Sequence, residues 1–156
     1  MRLQNLKKSN IKALSALCTD TFLEGEYSYY LQKCNLKGLD CFLEFCSVQN
    51  LTKKFDDKHT FIGCFDENTL VGVCGINTEI SNILLLFVDK EYQKQGIGQN
   101  LIKEAETILK SLGRKKVSVD STHYAVSFYK KYGFVEQSKE VVLKDGLIYT
   151  PLTKNI

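Results

Sequence analysis

The segment Gln93-Lys94-Gln95-Gly96-Ile97-Gly98 lies between an apolar run, Ile83 to Val88, and a stretch that repeats Ile97, Leu101, Ile102, Ala105, Ile108, Leu109 and Leu112 at helical spacing. Strand, glycine turn and helix in that order make a site for an anion. The first N–H groups of a helix have no partner inside it, and the helix dipole adds positive potential where they point. Gly96 and Gly98 carry no Cβ, so the turn can take left-handed backbone angles and the main chain can approach phosphate oxygens closely. Lys94 can add charge to such a site, although Lys90, Lys94, Lys130 and Lys131 read equally well as a hydrated basic rim. Without a ligand, the same glycines make an ordinary tight turn before a helix.

Spelling narrows the phosphate chemistry. A Walker A loop needs Gly-Lys-Ser/Thr, but Gly98 is followed by Gln99 and Asn100. A dinucleotide fingerprint needs glycine or alanine where Leu101 stands, and it needs βαβ units where this chain predicts a meander. Cysteine chemistry is poorly supported too. Cys18, Cys34, Cys41, Cys46, Cys64 and Cys74 include no pair two residues apart, as a zinc or redox motif would require. All but Cys34 fall on apolar faces of predicted elements, where cysteine packs as a small hydrophobe. His59 and His123, the only histidines, sit in no nucleophile motif.

The elements that must position the turn read as one α+β domain over residues 1–156. Residues 2–6 predict a short strand, and Ser9 or Asn10 caps a helix carrying Ile11, Leu14, Leu17, Cys18 and Phe22. Gly25 to Lys37 reads as a polar, aromatic loop, followed by a helix through Leu39, Phe42, Leu43 and Cys46. Thr60 to Phe65, Leu70 to Ile76 and Ile83 to Val88 predict three consecutive strands, the last without alternation and so buried on both faces. The helix after Gly98 stops at Gly113, Lys116 to Val119 makes a strand, and Ser121 or Thr122 caps a helix ending at Gly133. A terminal hairpin pairs Glu136 to Leu143 with Leu147 to Leu152, with Pro151 near its edge.

Charge and length exclude other classes. The 21 basic and 18 acidic residues leave a net charge of +3, too balanced for a protein devoted to the phosphate backbone of nucleic acid. The longest apolar run, Ile83 to Val88, is far short of the roughly 20 residues that span a bilayer. The opening MRLQNLKKSN has no secretory apolar core, which predicts a cytoplasmic protein with free thiols.

The spacing Gln-x-x-Gly-x-Gly at residues 93–98 resembles the acyl-CoA pyrophosphate loop of the GNAT-superfamily N-acetyltransferases. Further on, Ala125-Val126-Ser127-Phe128-Tyr129-Lys130-Lys131-Tyr132-Gly133-Phe134 resembles that family's second motif, Ala-x-x-Phe-Tyr-x-x-x-Gly-Phe. The order of elements is similar over nearly the whole chain. Lys90 stands where many members have proline and Thr122 where many have asparagine; neither change removes a backbone donor.

The resemblance implies a GNAT-like mixed, mostly antiparallel central sheet flanked by helices. It also implies acetyl-CoA as acyl donor, attacked directly by an amine through a tetrahedral intermediate. Gln93, Lys94, Gln95, Gly96, Ile97, Gly98 and Gln99 would then hold the pyrophosphate, and Phe87 and Val88 the pantetheine and thioester. A splayed, bulged central strand would leave Val88 N–H as oxyanion donor, the kind of group worth roughly 10²–10³ in rate. Tyr129, a phenol with an ordinary pKa of about 10, would protonate the departing thiolate; Phe128 reads as core. Asp20, Glu24, Glu26, Tyr27, Tyr29 and Tyr30 fall where the family builds its acceptor wall, unless they are a solvated loop. Glu24, Glu26 and Glu79 are the base candidates. The acceptor is a small-molecule or peptide amine, and monomer and homodimer remain equally open. A catalytically silent acyl-CoA-binding or regulatory module is the alternative.

Overall fold

The computed structural model describes residues 1–156. Eight strands run as β1 (Arg2–Asn5), β2 (His59–Asp66), β3 (Thr69–Asn77), β4 (Asn82–Val88), β5 (Lys116–Ser121), β6 (Val135–Glu136), β7 (Val141–Val142) and β8 (Ile148–Asn155). Their order across the sheet is β1-β2-β3-β4-β5-β8-β6, with β7 also on β8. Every pairing is antiparallel except β4 with β5. The mixed, mostly antiparallel sheet expected from sequence is therefore present. No helix is long and apolar enough to cross a membrane.

Helices cover both faces. On one lie α1 (Ile11–Gln32), α2 (Leu36–Phe45) and α3 (Val48–Lys53), packing Leu14, Phe22, Tyr30, Leu51, Val73 and Leu85 into one core. On the other, α4 (Ile97–Ser111) and α5 (Val126–Lys131) enclose Val71, Cys74, Ile83, Leu101, Leu109, Val117 and Leu152. Each large aliphatic side chain buried there contributes about 1.5–3 kcal/mol of transfer free energy. The α4 stripe follows its spacing from Ile97 to Leu109, but Leu112, expected on it, is exposed at the C-cap, where Gly113 (φ +74°) ends the helix in the left-handed conformation. Gly72 lets α4 sit close on β3: a Cβ there would meet Ile97 Cγ2 at 2.9 Å.

Three expectations need correction. The stretch Gly25–Gln32 is helix, not loop, because Phe22, Glu26 and Tyr30 continue the buried stripe of α1 at four-residue intervals. The Tyr30 hydroxyl fixes that end by accepting the Ile148 N–H at 2.9 Å. The short α3, capped by Ser47 on the Asn50 N–H (3.2 Å), has too few residues to show a period. The terminal hairpin is reduced to the two-residue strands β6 and β7, and β8 lies inside the sheet between β5 and β6. Pro151 is tolerated there because its carbonyl accepts the Gln137 N–H (2.8 Å) in the interval between β6 and β7. Its ring nitrogen faces that same interval, where no ladder donor is needed.

Candidate active site

β4 and β5 touch along only two residue pairs, Asn82↔Ser118 and Ile83↔Val119. Just beyond, β4 bulges at Leu84, where its register against β3 shifts between Gly75 and Ile76, and the two strands part. The result is a fork that opens toward Val88. Antiparallel hydrogen bonds alternate along a strand, and the Asp89 N–H donates to Val71 O at 2.9 Å. Counting back along the register, Phe87 and Leu85 bond to β3, so the N–H groups of Leu86 and Val88 face into the fork. The Val88 carbonyl on that side is taken by Gln93 Nε2 (2.9 Å). Leu86, Phe87 and Val88 are half-buried because they border this cleft, whereas Ile83 and Leu85 are buried as expected.

At the mouth of the fork stands the start of α4. Gly96 adopts φ +83° and Lys94 φ +60°, which turns successive main-chain groups inward. No side chain caps the helix, and the Ile97, Gly98 and Gln99 N–H groups have no partner in the protein. An anion there would meet donors that no internal bond competes for. Gly98, unlike Gly96, has no left-handed backbone angle; its missing Cβ instead leaves room for Phe128, whose Cζ a Cβ would approach to 3.0 Å, and that ring seats α5 against the turn. The fork and turn together bound a cleft of about 500 Å³.

Most residues predicted for this site meet there. Phe87, Val88, Gln93, Lys94, Gly96, Ile97, Gly98 and Gln99 all line the cleft. Gln95 does not; its Nε2 turns outward to Glu91 O at 3.2 Å. Tyr129 lies behind the wall, 3% exposed, its ring 5.2 Å from that of Phe134 and 5.5 Å from that of Phe128. Burial, with the Cys74 thiol nearby, pushes its phenol well above the ordinary value, so it stays protonated. Tyr129 is not among the residues that line the cleft, and its hydroxyl makes no hydrogen bond within the protein.

The acceptor candidates divide. Glu26 is buried on the cleft wall and accepts the Tyr124 N–H at 2.7 Å. Desolvation raises its carboxyl above the ordinary value despite that bond. Glu24 and Tyr27 are exposed and do not line the cleft. Glu79 sits in the turn before β4, paired with Lys58 at 3.2 Å, roughly 20 Å of strand away from Val88. Tyr29 joins Glu140 and stacks on His123 with centroids 4.0 Å apart, pinning the loop after β6 to α1. Cys41, expected on an apolar face, is half-buried with its thiol 3.5 Å from Asp145.

Among the cleft residues given no site role from sequence are Leu86, Tyr124 and Thr122. Tyr124 reaches across to Gln93 Oε1 (3.2 Å), and its ring packs over Gly25, where a Cβ would touch it at 3.5 Å. Thr122 lines the same wall. For Tyr124 the only signal in sequence is nearness to the second motif; Thr122 stands at a position read there as a helix cap.

Residues 30–156 match the model of the acetyltransferase (GNAT) domain. The chain belongs to the GNAT family. It is 26% identical over 132 residues to an uncharacterized Bacillus subtilis protein, YyaT, covering 81% of this chain and 82% of that one. The fold is similar to a GCN5-related N-acetyltransferase from Rhodopseudomonas palustris, with TM-score 0.84 at 16% identity over 99% of this chain and 95% of that one. It is also similar to the PaiA N-acetyltransferase of Thermoplasma acidophilum, solved in complex with coenzyme A. That match has TM-score 0.80 at 20% identity over 100% of both chains.

Proposed function

We propose that this GNAT protein transfers the acetyl group of acetyl-CoA to a primary amine by direct attack. The observation that carries the reading is the continuity of free main-chain donors. Ile97, Gly98 and Gln99 offer N–H groups at the mouth, and Val88 and Leu86 offer theirs along the fork. The diphosphate takes the first set. The pantetheine arm then lies along β4 as a strand would, and the thioester oxygen reaches the second set. Charge that develops on that oxygen during attack is met by dipoles already in place, worth roughly 10²–10³ in rate per donor.

Tyr129 is the general acid that protonates the CoA thiolate. Its raised pKa keeps it in the donor form. Glu26 holds the wall of the acceptor side by bonding the Tyr124 main chain. The protein works in the cytoplasm as a monomer or homodimer, on a small-molecule or peptide amine.

Calorimetric titration with acetyl-CoA, followed by a thiol-release assay over an amine panel, tests this. Binding together with amine-dependent thiol release is the expected result. Binding without release from any amine points to the silent acyl-CoA-binding module, and no heat on titration ends both readings.

A further inference from the structure

The N–H groups of the fork are only half of its edge. The N–H and C=O of one strand residue point the same way, so a chain laid beside Val88 must offer an acceptor to its N–H and a donor to its carbonyl. The donor's place is already filled. Gln93 Nε2 holds the Val88 carbonyl at 2.9 Å. Because a carbonyl only accepts, the Gln93 amide must present its nitrogen there and keep its oxygen for a donor from elsewhere. Tyr124 supplies that donor, its hydroxyl lying 3.2 Å from Gln93 Oε1. Tyr124 follows the end of β5 by three residues, so Val88, Gln93 and Tyr124 form a bridge from one limb of the fork to the other, across its mouth.

Both roots of this bridge are fixed, and its middle is not. On one side, Asp89 accepts the Glu91 N–H at 2.9 Å and the Tyr92 hydroxyl donates to Asp66 at 3.0 Å, which fixes the turn that brings Gln93 back to Val88. On the other, Glu26 holds the Tyr124 N–H at 2.7 Å, and the Tyr124 ring lies over Gly25. A single bond joins the two, between an exposed tyrosine and a half-buried amide. Either side chain can rotate away while the main chain stays where it is. The cleft extends past the bridge in both directions, to Ile97 and Gly98 at the turn and to Leu86 and Phe22 inside the fork. A ligand that reaches from the turn into the fork must cross it.

Resting on the reading that the cleft binds acyl-CoA, we propose that the Gln93 side chain is a placeholder for a pantetheine amide in the empty protein, and that the Tyr124 hydroxyl is the latch that keeps it there. An incoming pantetheine N–H takes the Val88 carbonyl, Gln93 swings out toward the turn, and its bond to Tyr124 is not remade while the ligand stays. The latch lowers the fraction of protein ready to bind, so it slows entry and leaves departure alone. In return, the unpaired edge of β4 is covered whenever the fork is empty.

Surface plasmon resonance, with acetyl-CoA flowing over the immobilised full chain, reads both rates. Losing one exposed hydrogen bond from the closed state, Tyr124→Phe should raise kon about threefold, leave koff unchanged and so tighten Kd about threefold. Gln93→Ala removes the placeholder itself. Adding Tyr124→Phe to that variant should change kon no further, because the hydroxyl then has nothing to hold. An unchanged kon in Tyr124→Phe overturns the latch alone, as does a gain that persists in the Gln93→Ala background. A weaker Kd through faster koff also overturns it, since Tyr124 would then be a contact of the bound ligand. If the native protein itself binds no acetyl-CoA, the acyl-CoA reading falls and the latch falls with it.

Discussion

The two ends of the cleft are built from different materials. The turn at Gly96–Gln99 and the strand end at Leu86–Val88 present main-chain N–H groups, fixed by backbone angles and by the close seating of Ile97 on Gly72 and Phe128 on Gly98. The opposite wall, the side proposed for the acceptor, is assembled from side chains on α1 and the segment before α5, elements far apart in sequence that meet through Glu26, Tyr124 and the Tyr29–Glu140 contact. A main-chain site binds what every member of a family shares, because almost any side chain can occupy such positions. A side-chain site can change its ligand without disturbing the sheet. The division implies that changes at one end should move acetyl-CoA affinity and changes at the other should leave it alone.

The largest effect expected is from Gly98→Asp. It puts a carboxylate where a diphosphate should lie and a Cβ within 3.0 Å of the Phe128 ring. Losing two charge-assisted hydrogen bonds at about 1.5–3 kcal/mol each should weaken acetyl-CoA binding at least 100-fold by calorimetry. Gly98→Ala, which adds the Cβ without the charge, separates crowding from repulsion. Undiminished binding in the Asp variant, with a native melting curve, would break the main-chain account of this end.

Tyr129→Phe comes next. It removes only the oxygen of a ring packed against Phe128 and Phe134, so folding and acetyl-CoA affinity should persist. Turnover should fall about 100-fold, within the usual span for a general acid. Unchanged turnover would return Tyr129 to the core as a packing residue.

A smaller effect concerns pH and Glu26. Its carboxyl is raised above the ordinary 4.5 in the folded state, so the protonated form suits the fold better than the charged one. Stability attached to this group is full below pH 4.5 and is lost as pH rises through the folded value. Glu26→Gln keeps a carbonyl oxygen for the Tyr124 N–H but cannot ionise. Its melting temperature relative to the native protein should therefore climb between pH 4.5 and 7; a difference that stays flat or shrinks contradicts the sign.

The same division explains what could be read from the sequence. The glycine spacing at 96 and 98, the α4 stripe and the three central strands are local patterns, and each appears where its period put it. Glu26 reads as loop because a carboxylate interrupts an apolar stripe, and its distant partner, the Tyr124 N–H, is what satisfies it when buried. β6 and β7 are short because residues 137–140 leave the edge of β8 opposite β5 between them.

Tyr124→Phe should have the smallest effect and draws the boundary between the two ends most sharply. The Tyr124 hydroxyl donates to Gln93 Oε1 while Gln93 Nε2 donates to Val88 O, so one amide ties β4 to the opposite wall. Tyr124 is 61% exposed, and a bond in such a place contributes only about 0.5–1.5 kcal/mol. The Phe ring would still cover Gly25, and Gln93 would still close the loop on Val88. Acetyl-CoA affinity should then shift less than about tenfold, because the donors that hold the ligand belong to the main chain. A loss as large as that expected of Gly98→Asp would mean that the diphosphate end depends on a side-chain bridge from the acceptor wall, and the two ends would no longer be separable.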